Sequence, residues 1–328
     1  MKESGVREGM KERGEVQIAE FMSANFPEAL MLFGDWLPSG GICMLYGERG
    51  GGKTYLSLGV ASAVASKGKL GPWKAPQALP VLYVDAEMRA SDVQLRFRKL
   101  MKGVGVPRVP LEEVPLYYLT HESPALLAGI PDLSDLDESG RNRGRALIED
   151  AAAKCQAKLV VLDNLSSLVR SGEENSAESW NSFNEWLLHL RREDITTLVV
   201  HHSGKRGPNG QLRQRGTSRR EDVMNTIIQL DPETATRDEV TGTRCPFKVT
   251  IEKHRAFVPK RNPVHLEMRF PLSDDLVTFH VCLPPGTGEL TEMVNMRARG
   301  CSYEEIGEAF GIAKTTAMRR MKKGTSLR

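Results

Sequence analysis

Eight consecutive residues, Gly47-Glu48-Arg49-Gly50-Gly51-Gly52-Lys53-Thr54, fit the spacing G-x-x-x-x-G-K-[ST]. Glycines let a loop turn its N–H groups inward around an anion, and a helix opening at the lysine adds the positive end of its dipole. A lysine there reaches β- and γ-phosphates, and the adjoining hydroxyl ligates Mg²⁺. The expected ligand is therefore ATP with Mg²⁺, held by residues 47–54, with Thr54 on the metal. The plain alternative is a glycine-rich turn that happens to carry a lysine. Against it stand the strand-like run before the loop, from Gly41 to Tyr46, and the helical pattern after it.

Such a site needs a second metal partner, usually an aspartate ending a buried strand, and "KLVVLDN" supplies Asp163 after four apolar residues. An Asp that only caps the next turn is the competing reading. Hydrolysis also needs a group that orients or deprotonates water. Glu87, closing "VLYVDAE", is preferred because the carboxyl ends of parallel strands converge on the ligand crevice. Asp85 competes, but lies short of the strand end. "LVVHHSGK" puts His201 and His202 at another strand tip, where an imidazole can sense the terminal phosphate or simply satisfy local polar groups.

Several elements must position these groups. "LPVLYVDAE", "VPLYYLT", "KLVVLDN" and "ITTLVVHHS" read as strands, while "SDVQLRFRKLM", "GRALIEDAAAKC" and "AESWNSFNEWLLHLRR" read as helices between them. Strands apolar on both faces, alternating with helices, predict an α/β fold with a mostly parallel sheet covered on both sides. After Asp231 the runs "FKVTIEKH", "PVHLEMRF" and "LVTFHV" follow without helices, predicting an antiparallel edge. Helical spacing also appears from Val16 to Leu30, interrupted by Pro27.

Composition narrows the class. A hydrophobic content of 40% with 27% charged residues is that of a soluble globular chain, and a net charge of +3 is too small to imply a nucleic-acid partner by itself. Cys43, Cys155, Cys245, Cys282 and Cys301 are scattered, which argues against a zinc site or disulfide framework and for a reducing compartment. The first residues lack an apolar signal core, and no apolar run approaches a membrane span. A cytoplasmic protein without membrane contact is expected.

The order of phosphate loop, strand-end Glu, strand-end Asp and His-His strand tip resembles the RecA/DnaB-like ATPases, most closely the small plasmid RepA-type hexameric replicative helicases, over about residues 36–260. That resemblance implies a RecA-like fold, with Lys53, Thr54, Asp163 and Glu87 in the roles above and His202 as γ-phosphate sensor. "EKHR" is similar to the Lys-x-Arg signature of the DnaB group. It implies that Lys253 and Arg255 enter a neighbouring subunit's site within a homo-oligomeric ring, a hexamer in those relatives. A solvent-facing basic pair is the alternative.

Between residues 203 and 220 the chain has six basic residues and no acidic one: Lys205, Arg206, Arg213, Arg215, Arg219 and Arg220. Following directly on His202, they are expected to touch the backbone of single-stranded DNA without reading sequence, the alternative being a solvated basic loop. "LTEMVNMRARGCSYEEIGEAFGIAKTTAMRRMKKG" reads as three short helices separated at Gly300 and Gly311, with Ile306, Phe310, Ile312 and Met318 as core. This segment resembles the helix-turn-helix of resolvase-type and sigma-like modules, which implies duplex-DNA contacts from Lys314, Thr315, Thr316, Arg319 and Arg320. A helical hairpin for a protein partner is the alternative.

The expected organisation is an N-terminal arm and helix (1–35), a RecA-like ATPase domain (36–282), a linker (283–288) and a small all-α helix-turn-helix domain (289–328). The expected function is a Mg-ATP-dependent, ring-forming DNA helicase of RepA/DnaB type acting in replication of a mobile element. A non-translocating ATP-dependent DNA-binding regulator or recombination mediator is the first alternative, and a signalling ATPase without a DNA ligand the second.

Overall fold

A computed structural model of the chain describes residues 17–24, 30–103, 110–122, 129–170, 177–204, 212, 222–239, 241–255, 259, 262–272, 275–282, 287–298, 300–310 and 312–325. A short helix α1 (Ile18–Ser23) precedes the hairpin β1 (Met31–Phe33) and β2 (Leu37–Pro38), then β3 (Ile42–Gly47) and α2 (Lys53–Ser66). A second small hairpin, β4 (Lys69–Leu70) and β5 (Trp73–Lys74), leads to β6 (Val81–Asp85), α3 (Ala90–Gly103), β7 (Leu116–Thr120) and α4 (Arg143–Lys154). Next come β8 (Leu159–Asp163), α5 (Leu165–Leu168), α6 (Ala177–Arg192) and β9 (Thr196–His202). Five strands follow: β10 (Thr226–Pro232), β11 (Thr236–Asp238), β12 (Gly242–His254), β13 (Val264–Phe270) and β14 (Thr278–Val281). The last elements are α7 (Thr287–Ala298), α8 (Tyr303–Ala309) and α9 (Lys314–Thr325).

The central sheet has the order β14-β13-β12-β10-β3-β9-β8-β6-β7, with β11 paired to β12. From β10 to β7 every pairing is parallel, and from β10 outward through β12, β13 and β14 every pairing is antiparallel. This is the α/β architecture expected from the alternating pattern. One core, with Leu45, Leu56, Tyr83, Val161 and Val200, lies under α2 and α3; the other, with Met44, Val84, Leu162, Phe183 and Val199, lies under α4 and α6. Successive strand residues divide between the two faces, so the middles of the parallel strands are apolar on both. Helix α2 is buried over nearly its whole length, which is why its sequence is apolar all round.

Several elements differ from the sequence reading. Strand β10 was not anticipated as an element of its own; it is where the sheet changes from parallel to antiparallel, pairing β3 on one side and β12 on the other. Strands of two or three residues in the small hairpins carry too little alternation to be read. Leu32, Phe33 and Trp36 all join the main core, so the packed body starts at β1 rather than at residue 36. Helix α1 is shorter than the apolar spacing suggested and buries none of its residues.

Helices α7 to α9 enclose a small core of Met293, Ile306, Ala317 and Met321, with Phe310 and Ile312 packed against it. Met318, expected inside, is 37% exposed, because Ala317 and Met321, four residues apart, take the inner face of α9. Helix α8 opens with a capping box: Ser302 Oγ accepts from Glu305 N at 3.2 Å and Glu305 Oε2 from Ser302 N at 2.6 Å. Helix α7 begins at Thr287, inside the span expected as linker; residues 283–286 and Gly311 lie outside the described residues. Among the described residues, no helix is long and apolar enough to cross a membrane.

Candidate functional site

The loop between β3 and α2 is built on glycine for two separate reasons. A Cβ on Gly47 would stand 2.5 Å from the Leu230 carbonyl oxygen of β10, too close for any side chain. Gly50 and Gly52 have φ of 73° and 89°, left-handed values that other residues rarely adopt. Lys53 then opens α2, buried, with Nζ donating to Gly47 O at 2.9 Å and Glu48 O at 2.6 Å. A cavity of about 430 Å³ adjoins the loop, lined by Arg49, Gly50, Gly52, Lys53 and Thr54 and, at or just beyond the ends of other strands, by Glu87, Asp163, Asn164 and His202. Tyr55, Met268 and Phe270 also line it, with the Arg96 guanidinium 4.6 Å above the Tyr55 ring. A narrow backbone cradle with one buried ammonium fits a triphosphate.

Strand periodicity explains which side chains reach this cavity. Tyr83, Val161 and Val200 share the α2-side core, and the period of two carries the same face to Asp85, Asp163 and His202. His201 points the other way and is 1% exposed. Asp163 is 4% exposed and accepts from Tyr83 Oη at 2.6 Å and Ser57 Oγ at 3.5 Å, with the Thr54 hydroxyl alongside. Burial pushes its pKa up to about 6 against these hydrogen bonds, and the nearby Asp85 and Glu87 add to the rise. Burial likewise lowers Lys53 to about 8, although Asp163 and Glu87 favour its charged form. Buried opposite charges beside a hydroxyl are a donor set that fits a Mg²⁺-bound polyphosphate.

The two acids of "VDAE" have separate positions. Asp85 is in register with Asp163 on the adjacent strand. Its Oδ1 accepts the N–H groups of Glu87 at 3.1 Å and Met88 at 3.3 Å, while Oδ2 accepts from Tyr118 Oη at 2.8 Å. Asp85 thus shapes the turn that presents Glu87. The Glu87 side chain is 56% exposed, lies 4.0 Å from His202 Nε2 and accepts a hydrogen bond from the Asn164 amide.

Lys253 and Arg255 lie elsewhere. Lys253 is in register with Ile227 of β10, near the end of the sheet away from the loop, and Arg255 N donates to Asn225 O, whose own N–H reaches Ile42 O. Arg255 is therefore level with a residue five positions before Gly47, about 16 Å along the strands and two strands across. Neither cation is brought to the cavity of its own chain. The Arg255 guanidinium hydrogen-bonds the Asp222 carbonyl.

Lys205, Arg206, Arg213, Arg215, Arg219 and Arg220 lie outside the described residues. Lys314, Thr315, Arg319 and Arg320 are exposed on α9, with Thr316 half-buried, and Lys314 Nζ pairs with Glu304 at 3.2 Å. Sequence reasoning missed Tyr83, Tyr118, Ser57 and Asn164. The only signal for Tyr83 was a hydroxyl inside a buried run, two residues before an acid.

The chain is similar to the DNA repair and recombination protein RadB of Methanococcoides burtonii, 24% identical over 233 residues, which cover 67% of this chain and 91% of RadB. Among solved structures, a KaiC-like protein of Pyrococcus horikoshii aligns with a TM-score of 0.47 and 18% identity, covering 75% of this chain and 91% of the other. The model of the AAA domain family matches residues 10–208, more than half of the chain, which therefore belongs to that family, within the P-loop ATPases.

Proposed function

We propose that this chain is a Mg²⁺-dependent ATPase that works on DNA as a ring, a helicase of the RepA/DnaB kind. The observation that carries the hydrolytic part is the convergence of Lys53, Asp163, Glu87 and His202, from α2, β8, the end of β6 and β9, on one cavity beside the glycine loop. In this reading the amides of residues 47–54 and Lys53 bind the β- and γ-phosphates, and Thr54 and Asp163 hold the metal. When bound, Mg²⁺ neutralises charge on the triphosphate. Glu87 accepts the proton of the water that attacks the γ-phosphorus as the bond to the β–γ bridging oxygen breaks. His202, 4.0 Å from that carboxylate, registers loss of the terminal phosphate.

Arg255, remote from its own cavity, acts on a neighbour's nucleotide, so assembly completes the active site. The basic segment 203–220, which follows His202 in sequence, is the single-strand contact, and α9 presents Arg319 and Arg320 to duplex DNA or to a protein. A second reading, a recombination mediator that uses ATP as an assembly switch, is favoured by the similarity to RadB. Strand displacement separates the two. Purified protein that unwinds a forked duplex with ATP, where Lys53→Ala does not, supports the helicase; DNA-stimulated turnover without displacement supports the mediator, and turnover indifferent to DNA removes both.

A further inference from the structure

The paired aspartates of β6 and β8 differ in one respect that backbone register alone does not explain. Asp85 and Asp163 are directly opposite each other on adjacent parallel strands, both nearly fully buried, and each accepts a hydrogen bond from a different tyrosine. Tyr83 is itself fully buried on β6, with Oη 2.6 Å from Asp163 Oδ2 and 2.9 Å from Ser57 Oγ on α2. Ser57 Oγ in turn reaches the Thr54 carbonyl at 3.0 Å. Tyr118, on β7, is 2.8 Å from Asp85 Oδ2, and the two tyrosine rings are neighbours, with centroids 6.4 Å apart.

A phenol has one proton to donate, and a buried carboxylate is its strongest available acceptor. Tyr83 therefore occupies Oδ2 of Asp163 and limits rotation of the carboxyl group, with Oδ1 not engaged by the phenol. Ser57, whose single proton serves either the phenol oxygen or the Thr54 carbonyl, packs the Tyr83 hydroxyl against the helix that carries Thr54. Tyr118 does the same for the carboxylate that shapes the Glu87 turn.

We infer that Tyr83 and Tyr118 are positioning residues with separate duties: Tyr83 orients the metal-holding carboxylate Asp163, and Tyr118, through Asp85, orients the water-activating carboxylate Glu87. The inference rests on the Mg²⁺-nucleotide reading of the cavity. Groups behind a metal ligand commonly change metal affinity tenfold or more when removed. Phenylalanine at either position keeps the ring and deletes only the hydroxyl.

The test measures Mn²⁺ affinity by electron paramagnetic resonance in the presence of a non-hydrolysable ATP analogue, alongside steady-state turnover. Tyr83→Phe should weaken Mn²⁺ binding about tenfold and raise KM for Mg²⁺ more than it lowers kcat. Tyr118→Phe should lower kcat about tenfold with the Mn²⁺ dissociation constant within about twofold of wild type. Wild-type metal affinity in Tyr83→Phe, or an equal loss of affinity in both variants, would overturn the assignment. Should Tyr83→Phe fail to fold, Ser57→Ala takes its place: weaker Mn²⁺ binding supports the relay, and unchanged binding overturns it. Wild-type protein that takes up no Mn²⁺ with nucleotide overturns the underlying reading of the site instead.

Discussion

Glu87 and His202, 115 positions apart in the chain, come within 4.0 Å because β6 and β9 flank β8 on opposite sides and end at the same edge of the sheet. In the proposed mechanism the carboxylate takes a proton from water and the imidazole responds to loss of the terminal phosphate. Glu87→Gln should keep Mg-ATP binding and lose turnover by about 10²-fold or more. Calorimetry beside a phosphate-release assay checks both halves; a variant that still turns over at the wild-type rate assigns the base elsewhere.

Asp163 is an acid whose charged form burial disfavours. Its pKa rises from 3.8 to about 6 in the ligand-free fold, so the folded state holds more protons than the unfolded state between those values. Stability from this group is therefore greatest below pH 3.8, falls as pH rises towards 6, and stays reduced above that. The cost at neutral pH is on the order of 3 kcal/mol. Asp163→Asn removes it, and should raise Tm of the nucleotide-free protein at pH 7.5 by several degrees while abolishing Mg²⁺-dependent nucleotide uptake. A lower Tm in that variant contradicts the burial argument.

Arg255 is level with Ile42, five residues before Gly47 and two strands across, so the proposed mechanism places it at a neighbour's site. Arg255→Ala should bind ATP normally and lose turnover by about 10³-fold. Mixing it with Lys53→Ala subunits should recover part of the activity, since each variant supplies what its neighbour lacks. Absence of any recovery, with mixed assemblies verified by light scattering, removes the shared-site arrangement.

Gly47→Ala places a Cβ 2.5 Å from the Leu230 carbonyl. The backbone of β3 must shift away from β10, so destabilisation of about 2 kcal/mol or more is expected, together with loss of ATP binding. Thermal melting and a fluorescent nucleotide titration test this. Gly288→Ala, where no atom lies within 4 Å of the added Cβ, is the control.

Arg319 and Arg320, exposed on α9, should act on duplex binding and leave DNA-free turnover alone. Each substitution to alanine should reduce the salt dependence of duplex affinity by about one counterion. Fluorescence anisotropy over a salt series measures the slope; slopes equal to wild type in both variants turn the helix towards a protein partner.

Much of the fold is written locally. The glycine run before Lys53 and Thr54 is legible because close backbone approach and left-handed φ leave few other residues possible, and the alternating apolar runs announce a parallel sheet because strands covered on both faces need it. What local pattern cannot specify is adjacency between strands far apart in the chain. Only the order β10-β3-β9-β8-β6-β7 puts Asp85 against Asp163, gives each its own tyrosine and sets Asn164 on Glu87. The same packing decided that Ala317 and Met321 turn inward and Met318 outward on α9, and that β10 exists as the strand where the sheet reverses direction. Spacing along the chain names the groups able to hold a phosphate; the burial of one strand against another determines which carboxylate meets which tyrosine.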